Sequence, residues 1–155
     1  MIKCLLIDWN VVSALANVFM ACGVFLAYRQ LLTTKRIAQM QFEDGLAKEY
    51  RDLAARIPTK VFYGVNLSDE QFKLNRDEFF HYIDLCNEQV SLRERDRISS
   101  GVWRSWRDGI KYNLGMPAFA RAWAEIKMST ESFAELRRLE RSGFCADPLS
   151  WNDES

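Results

Sequence analysis

His81 is the only histidine in the sequence, and Glu78 precedes it by three residues. On a helix, this spacing places a carboxylate and an imidazole on the same face. Carboxylate-bridged diiron bundles use this Glu-x-x-His motif twice, with further glutamates from two other helices. A symmetric dinuclear site within one chain is therefore excluded, and only a homodimer could supply a second copy. We predict no metal site and expect His81 to be a partly buried ring between Phe80 and Tyr82.

Carboxylates could support acid–base catalysis without a histidine. Four acidic residues share one predicted helix, and Asp84 and Glu88 within it are one turn apart; the other two are Asp77 and Glu78. Acidic residues on a helix flank are more often solvated or paired with basic neighbours. The sequence has no G-x-S-x-G, G-x-x-x-x-G-K-[ST] or H-E-x-x-H motif. We predict a non-enzymatic protein without catalytic residues or cofactor, and a carboxylate-based enzyme is the second alternative.

Tryptophans alternate with basic residues at near-helical spacing in the segment SGVWRSWRDGIKYN, residues 100–113. Tryptophan combined with arginine suits a membrane surface, a phosphate-bearing ligand or a protein interface. The candidate surface site comprises Trp103, Arg104, Trp106, Arg107 and Lys111. The competing interpretation is that both tryptophans face a hydrophobic core while the basic residues face water.

Net charge and cysteine spacing exclude two further classes of protein. The chain has 21 basic and 21 acidic residues, so it lacks the positive field of a nucleic-acid binder, and we expect no nucleic-acid partner. Its 4 cysteines, at positions 4, 22, 86 and 145, form no C-x-x-C pair. We predict reduced thiols in a cytoplasmic setting, with Cys86 acting as a small hydrophobic residue in a helix.

An uncharged apolar segment occupies residues 9–28. As a helix it would be about 30 Å long, which matches the hydrocarbon core of a bilayer. The sequence FMACG at residues 19–23 is similar to a lipoprotein cleavage site, but the apolar run continues beyond Cys22 to Ala27, which disfavours cleavage. A helix buried in a soluble core is the alternative to a membrane span.

Charges on either side of this segment predict its orientation. The N-terminal side offers Lys3 against Asp8, whereas Arg29, Lys35 and Arg36 follow the segment closely. Positive residues favour the cytoplasmic side of a membrane. We therefore expect an inner-membrane protein with its N-terminus outside and its C-terminal domain in the cytoplasm.

Side-chain size differs between the two faces of the predicted span. At 100° per residue, mainly small residues fall on one face, and close helix packing in lipid uses such residues. This pattern predicts a homo-oligomer or association with another membrane protein, and the alternative is a monomeric anchor. The predicted contact residues are Ser13, Ala16, Asn17, Met20, Gly23 and Ala27.

The remaining sequence has helical periodicity throughout. The pattern of residues 29–57 predicts a second long helix, either separate from the span or continuous with it. Charged residues lie on one face of this helix, and the apolar positions on the other face are Phe42, Leu46, Tyr50, Leu53 and Ile57. Pro58 is expected to end it. Further helices are predicted to start at Ser68 with a capping box, at Ser99 or Ser100, at Pro117, and at Ser129 or Thr130. The charged run RERDR at residues 93–97 is expected to be a solvated helix end.

These observations predict an all-α protein in which an N-terminal transmembrane helix is followed by a small helical bundle. We divide the chain into a membrane span (1–28), a juxtamembrane helix and linker (29–60), a helical cytoplasmic domain (61–142) and a polar tail (143–155). We expect the tail to be disordered, with Trp151 as a candidate docking residue.

The chain resembles small uncharacterised bacterial single-span membrane proteins with a helical cytoplasmic domain. The resemblance lies in the span and in three stretches, LAYRQ, FFHYIDLCNEQ and SGVWRSWRDGIKYNLGMPAFARAWAEI. The resemblance implies a fold and a location but no functional residues. Our leading expectation is a protein-interaction or assembly module. Peripheral binding of anionic lipid or a phosphate-bearing ligand through the tryptophan- and arginine-containing segment is the first alternative.

Overall fold

The computed structural model describes residues 9–154, and the side-chain environments of Trp9 and of residues 12–151. Within these residues the fold is all-α, as predicted, and no strand occurs. A long helix precedes a bundle of shorter ones: α1 (Trp9–Ala54), α2 (Asp69–Leu74), α3 (Arg76–Glu94), α4 (Ser100–Leu114), α5 (Pro117–Ser129) and α6 (Ala134–Arg141). Two short 3-10 helices span Thr59–Tyr63 and Pro148–Glu154.

The chain divides between Met40 and Gln41 into two compact units. This division falls inside the predicted juxtamembrane segment 29–60. The first unit holds the apolar part of α1, and the second holds the last turns of α1 together with α2 to α6. The long helix is continuous through Gly45 and ends at Ala54, four residues before Pro58, because a proline in a helix has no N–H to donate to the carbonyl four residues earlier and its ring clashes with that carbonyl.

Within the apolar stripe predicted for this part of the chain, Leu46 and Leu53 on α1 and Ile57 just after it are buried, whereas Phe42 is exposed. Glu43 is an exception to the prediction that the charged residues of this helix face water, because it is buried. Its carboxylate accepts a hydrogen bond from the backbone N–H of Ser99, the residue that caps α4. A carboxylate at a helix N-terminus is favourable because it pairs with unsatisfied N–H groups and with the helix dipole.

Helix boundaries follow the local capping signals in most places. Ser68 and Gln71 form the predicted capping box of α2, and Ser99 caps α4 by accepting from Val102 N–H. However, the single helix expected after Ser68 is interrupted at Asn75, between α2 and α3. The Asn75 side chain donates to the Gln71 carbonyl at 2.7 Å, and asparagine favours such local bonds over helix continuation.

The predicted start of the last helix at Ser129 or Thr130 is wrong. Ser129 is the final residue of α5, and its hydroxyl donates to the Ile126 carbonyl at 3.2 Å. The Thr130 hydroxyl accepts from Ser132 N–H within a turn. Helix α6 begins only at Ala134, after Phe133, whose φ of 67° lies in the left-handed region. Phe133 is buried, so tertiary packing rather than a capping side chain sets this boundary.

Helix α3 lies at the centre of the bundle and packs against α4, α5, α6 and the C-terminal 3-10 helix. The core around it is aromatic: the ring of Phe119 lies 5.2 Å from that of Phe79 and 4.6 Å from that of Tyr82, between ring centroids. Full burial of each such side chain contributes about 2 kcal/mol to stability. Cys86 is buried beside them, as predicted for a small hydrophobic residue.

The C-terminal segment, expected to be disordered, forms the 3-10 helix Pro148–Glu154 against α3. Trp151 is buried, and the guanidinium of Arg138 lies 4.4 Å from its ring centroid. The expectation that the run at residues 93–97 is solvated also fails at Arg93, which is 4% exposed. Its guanidinium makes a two-fold contact with the Asp147 carboxylate at 2.8 and 2.7 Å.

Candidate functional site

One described helix, α1, is long and apolar enough to cross a membrane. All six predicted membrane-contact residues, Ser13, Ala16, Asn17, Met20, Gly23 and Ala27, are exposed in it. The larger residues of the opposite face are exposed as well, including Phe19 at 75%. Every face of this apolar segment is therefore open to contact with lipid or with another helix. Lys3, Cys4 and Asp8 lie outside the described residues.

The structure separates the members of the candidate surface site on α4. Trp103 is 1% exposed and belongs to the core, so it cannot contact a surface ligand. Trp106 is half-buried, and Arg107 is paired with Asp108 at 2.9 Å. Of the five residues, only Arg104 and Lys111 are exposed. The interpretation in which the tryptophans of α4 face inward is therefore correct for Trp103 and partly correct for Trp106.

Asp84 and Glu88 line an open groove of about 430 Å³ between α1 and α3. Burial, followed by the nearby carboxylates of Glu49 and Asp84, raises the pKa of Glu88. The groove also contains basic residues and His81, and its ionisable side chains are exposed. His81 is thus exposed rather than partly buried. The groove provides mixed charge at the surface but no enclosed volume in which a substrate would be shielded from water.

No group of three or more His, Cys, Asp or Glu residues in the described part of the chain could hold a metal ion. Cysteines 22, 86 and 145 are free thiols. Burial raises the pKa of the Cys86 thiol to about 12, whereas a hydrogen bond with Tyr82 acts in the opposite direction. Cys86 is consequently protonated and unreactive at neutral pH, as suits a structural residue.

A more enclosed cavity of about 350 Å³ lies between the last turns of α1, the middle of α3 and α4. Aromatic rings from all three helices line it: Tyr50, Tyr82 and Trp106. The Asn113 side-chain amide donates to the Tyr82 hydroxyl at 2.7 Å, which fixes both groups at the cavity wall. Burial raises the pKa of Tyr82 well above its ordinary value, so the phenol stays neutral. We call this space the α1/α3/α4 cavity.

Gln89 is a polar residue of this cavity that the sequence analysis did not single out. It lies on α3 and is 4% exposed, and its amide makes no hydrogen bond to any residue the structure describes. The signal in the sequence is a polar residue on the buried face of the helix, between Cys86 and Val90. Asn113 gives the same signal in α4, one turn after the buried Ile110.

Comparisons of the chain with protein-family models, with curated proteins and with solved structures found no match. Inferences about function therefore depend on the sequence and geometry of the chain itself. Two features of that geometry stand out: the exposed apolar length of α1 and the α1/α3/α4 cavity.

Proposed function

We propose that this protein is a single-span membrane protein whose helical bundle acts as a non-enzymatic protein-interaction or assembly module. The observation that carries the proposal is the exposure of the apolar part of α1, in which none of the most apolar stretch is buried. A contiguous apolar surface of that length is unfavourable in water and favourable in a bilayer. A core helix of a soluble protein, in contrast, would be buried against its own domain.

Helix continuity supports a retained anchor over a cleaved leader. The helix does not end near Cys22 but continues beyond the apolar segment to Ala54, into the second unit. A secretory signal ends its apolar region at a small-residue cleavage site. The helix therefore supports a segment that stays attached to the bundle. The resemblance to small bacterial single-span proteins fits the same arrangement.

The proposed orientation places the N-terminus outside the inner membrane and the bundle in the cytoplasm. Arg29, Lys35 and Arg36 are exposed on α1 directly after the apolar segment, where they would face the cytoplasmic side. Free, reduced cysteines suit that compartment.

Sided labelling tests this orientation. Cys145 is exposed in the bundle, and Cys22 lies within the apolar segment. A variant that keeps Cys145 alone should react with a membrane-impermeant maleimide in inside-out vesicles and not in right-side-out vesicles. A variant that keeps Cys22 alone should react in neither until detergent is added. Labelling of Cys145 in right-side-out vesicles would reverse the orientation, and labelling of Cys22 without detergent would contradict the span.

The proposed assembly role uses the small-residue face of the span. A Cβ built at Gly23 has no neighbouring atom within 4 Å, so Gly23→Leu leaves the monomer undisturbed. In a bilayer, however, leucine at this position would block close approach of a second helix. We expect G23L to reduce energy transfer between labelled copies in liposomes, while Cys22→Leu, on the other face, does not. Equal energy transfer in both variants would refute association through this face.

A further inference from the structure

The α1/α3/α4 cavity contains an unused hydrogen-bonding group. Gln89 lines the cavity and is nine-tenths or more buried, yet none of the described residues accepts from or donates to its amide. Among the described residues, the amide atoms of Gln89 are not among the fully buried side-chain atoms that lack a partner, so they open onto the cavity, where water or a ligand can supply hydrogen bonds. The partner of Gln89 is therefore expected inside the cavity.

The other lining residues restrict the chemistry of that partner. Tyr50, Tyr82 and Trp106 present aromatic surfaces, which favour a flat ring. No carboxylate lines the cavity, and its one charged residue is Arg51, so a cationic ligand would be disfavoured. The Tyr82 phenol is neutral and already engaged with Asn113. A primary amide such as Gln89 offers a donor and an acceptor side by side, which matches an amide or lactam edge.

We propose that the α1/α3/α4 cavity is a binding site for a small, neutral, planar molecule that carries an amide-type edge. Gln89 forms the paired hydrogen bonds with that edge, and the aromatic side chains contact the ring. The cavity volume of about 350 Å³ is at the lower end of the range for small-molecule sites, about 300–1,000 Å³. The proposal does not rest on the membrane span, because all of the lining residues belong to the second unit.

Benzamide is a suitable probe because it combines a single ring with one amide. The full chain in lipid nanodiscs is titrated with benzamide, and binding is followed by NMR at the Gln89 side-chain amide, whose signals are identified by their loss in Gln89→Leu. We expect saturable shifts with a Kd on the order of 1 mM, as suits a ligand of so few atoms. The cation benzamidine, which has only donors, should bind at least about tenfold more weakly.

Two variants distinguish binding in the cavity from binding elsewhere. Gln89→Leu removes the unpaired amide at similar volume and should weaken benzamide binding about tenfold in calorimetric titration, without lowering the Tm. Gly109→Leu fills the cavity from α4, where a Cβ has open space, and should abolish binding. Gly101→Leu is the matched control, because it lies on the same helix, has equally open space and does not line the cavity.

Each outcome decides the proposal. Saturable binding that is lost in G109L, kept in G101L and reduced in Q89L supports it. Absence of saturable binding in the wild-type chain overturns it and indicates that water alone satisfies Gln89. Equal binding of benzamidine and benzamide, or wild-type affinity in G109L, also overturns it.

Discussion

Replacement of Asp147 with asparagine should destabilise the bundle by about 2 kcal/mol. In the native chain, Arg93 Nε and Nη2 donate to the two carboxylate oxygens of Asp147 at 2.8 and 2.7 Å. Asparagine has one oxygen, so one of these bonds and the charge assistance of the other are lost. Hydrogen bonds to charged groups contribute about 1.5–3 kcal/mol each. We expect a value in the lower part of that range because the Asp147 side chain is 44% exposed and partly screened by water.

Asparagine is the informative replacement because it preserves a second role of Asp147. The Asp147 carboxylate also accepts from Leu149 N–H at 3.2 Å, at the start of the C-terminal 3-10 helix. Asparagine caps helix N-termini about as well as aspartate does. The loss in D147N therefore reports the pairing with Arg93 and not the cap.

The assay is urea unfolding of the full chain in a nonionic detergent, followed by tryptophan fluorescence. In the background of Arg93→Met, the pairing is already absent, so D147N should then change the free energy of unfolding by less than about 0.5 kcal/mol. If the C-terminal segment detaches locally, amide exchange at Ser150, whose N–H donates to the Asp147 carbonyl, reports the same loss. An equal effect of D147N in both backgrounds would refute the reasoning.

The pH dependence of this effect has a defined sign. Hydrogen bonding by Arg93 is the main reason that the pKa of Asp147 lies below its ordinary value of 3.8. A carboxyl group whose pKa is lower in the folded state stabilises the fold at pH values above its unfolded-state pKa. This contribution to stability is lost as the pH falls through the folded-state pKa. The difference between wild type and D147N should therefore be constant near neutral pH and shrink only below pH 3.8.

Two further substitution and labelling experiments test other parts of the bundle. Glu43→Ala removes the carboxylate that accepts a hydrogen bond from Ser99 N–H, and it should lower the free energy of unfolding by about 1–2 kcal/mol. The same urea titration measures this change, and an unchanged free energy of unfolding would show that α4 does not depend on the contact. Iodoacetamide at pH 8 should alkylate the exposed Cys145 and not Cys86, because burial raises the pKa of the latter to about 12. Mass spectrometry after proteolysis locates the label, and rapid alkylation of native Cys86 would contradict its placement in the core.

Local signals in the sequence determined the fold class and much of the helix order. The capping box at Ser68 and the proline at the start of α5 act over a few residues, so they can be read without tertiary information. The apolar run of α1 is equally local, since its length and lack of charge are properties of one segment. The start of α6 escaped prediction because the packing of Phe133, and not a cap, sets it.

The tertiary contacts, in contrast, join residues that are far apart in the sequence. Arg93 and Asp147 are separated by 54 residues, and no local pattern indicates that a charged helix end and a polar C-terminal segment meet. Trp103 and Arg104 are neighbours in the sequence, yet one is buried and the other exposed, because adjacent helical residues point about 100° apart.

The sequence by itself determined that this protein is all-α and carries an apolar helix long enough for a membrane, because hydrophobic period, caps and segment length are local properties. Only the tertiary structure decided that Glu43 and Arg93 are buried and that Gln89 faces a cavity bounded by three helices. The physical reason is that burial and hydrogen-bond pairing depend on which helix faces meet, and those contacts join residues that are distant along the chain.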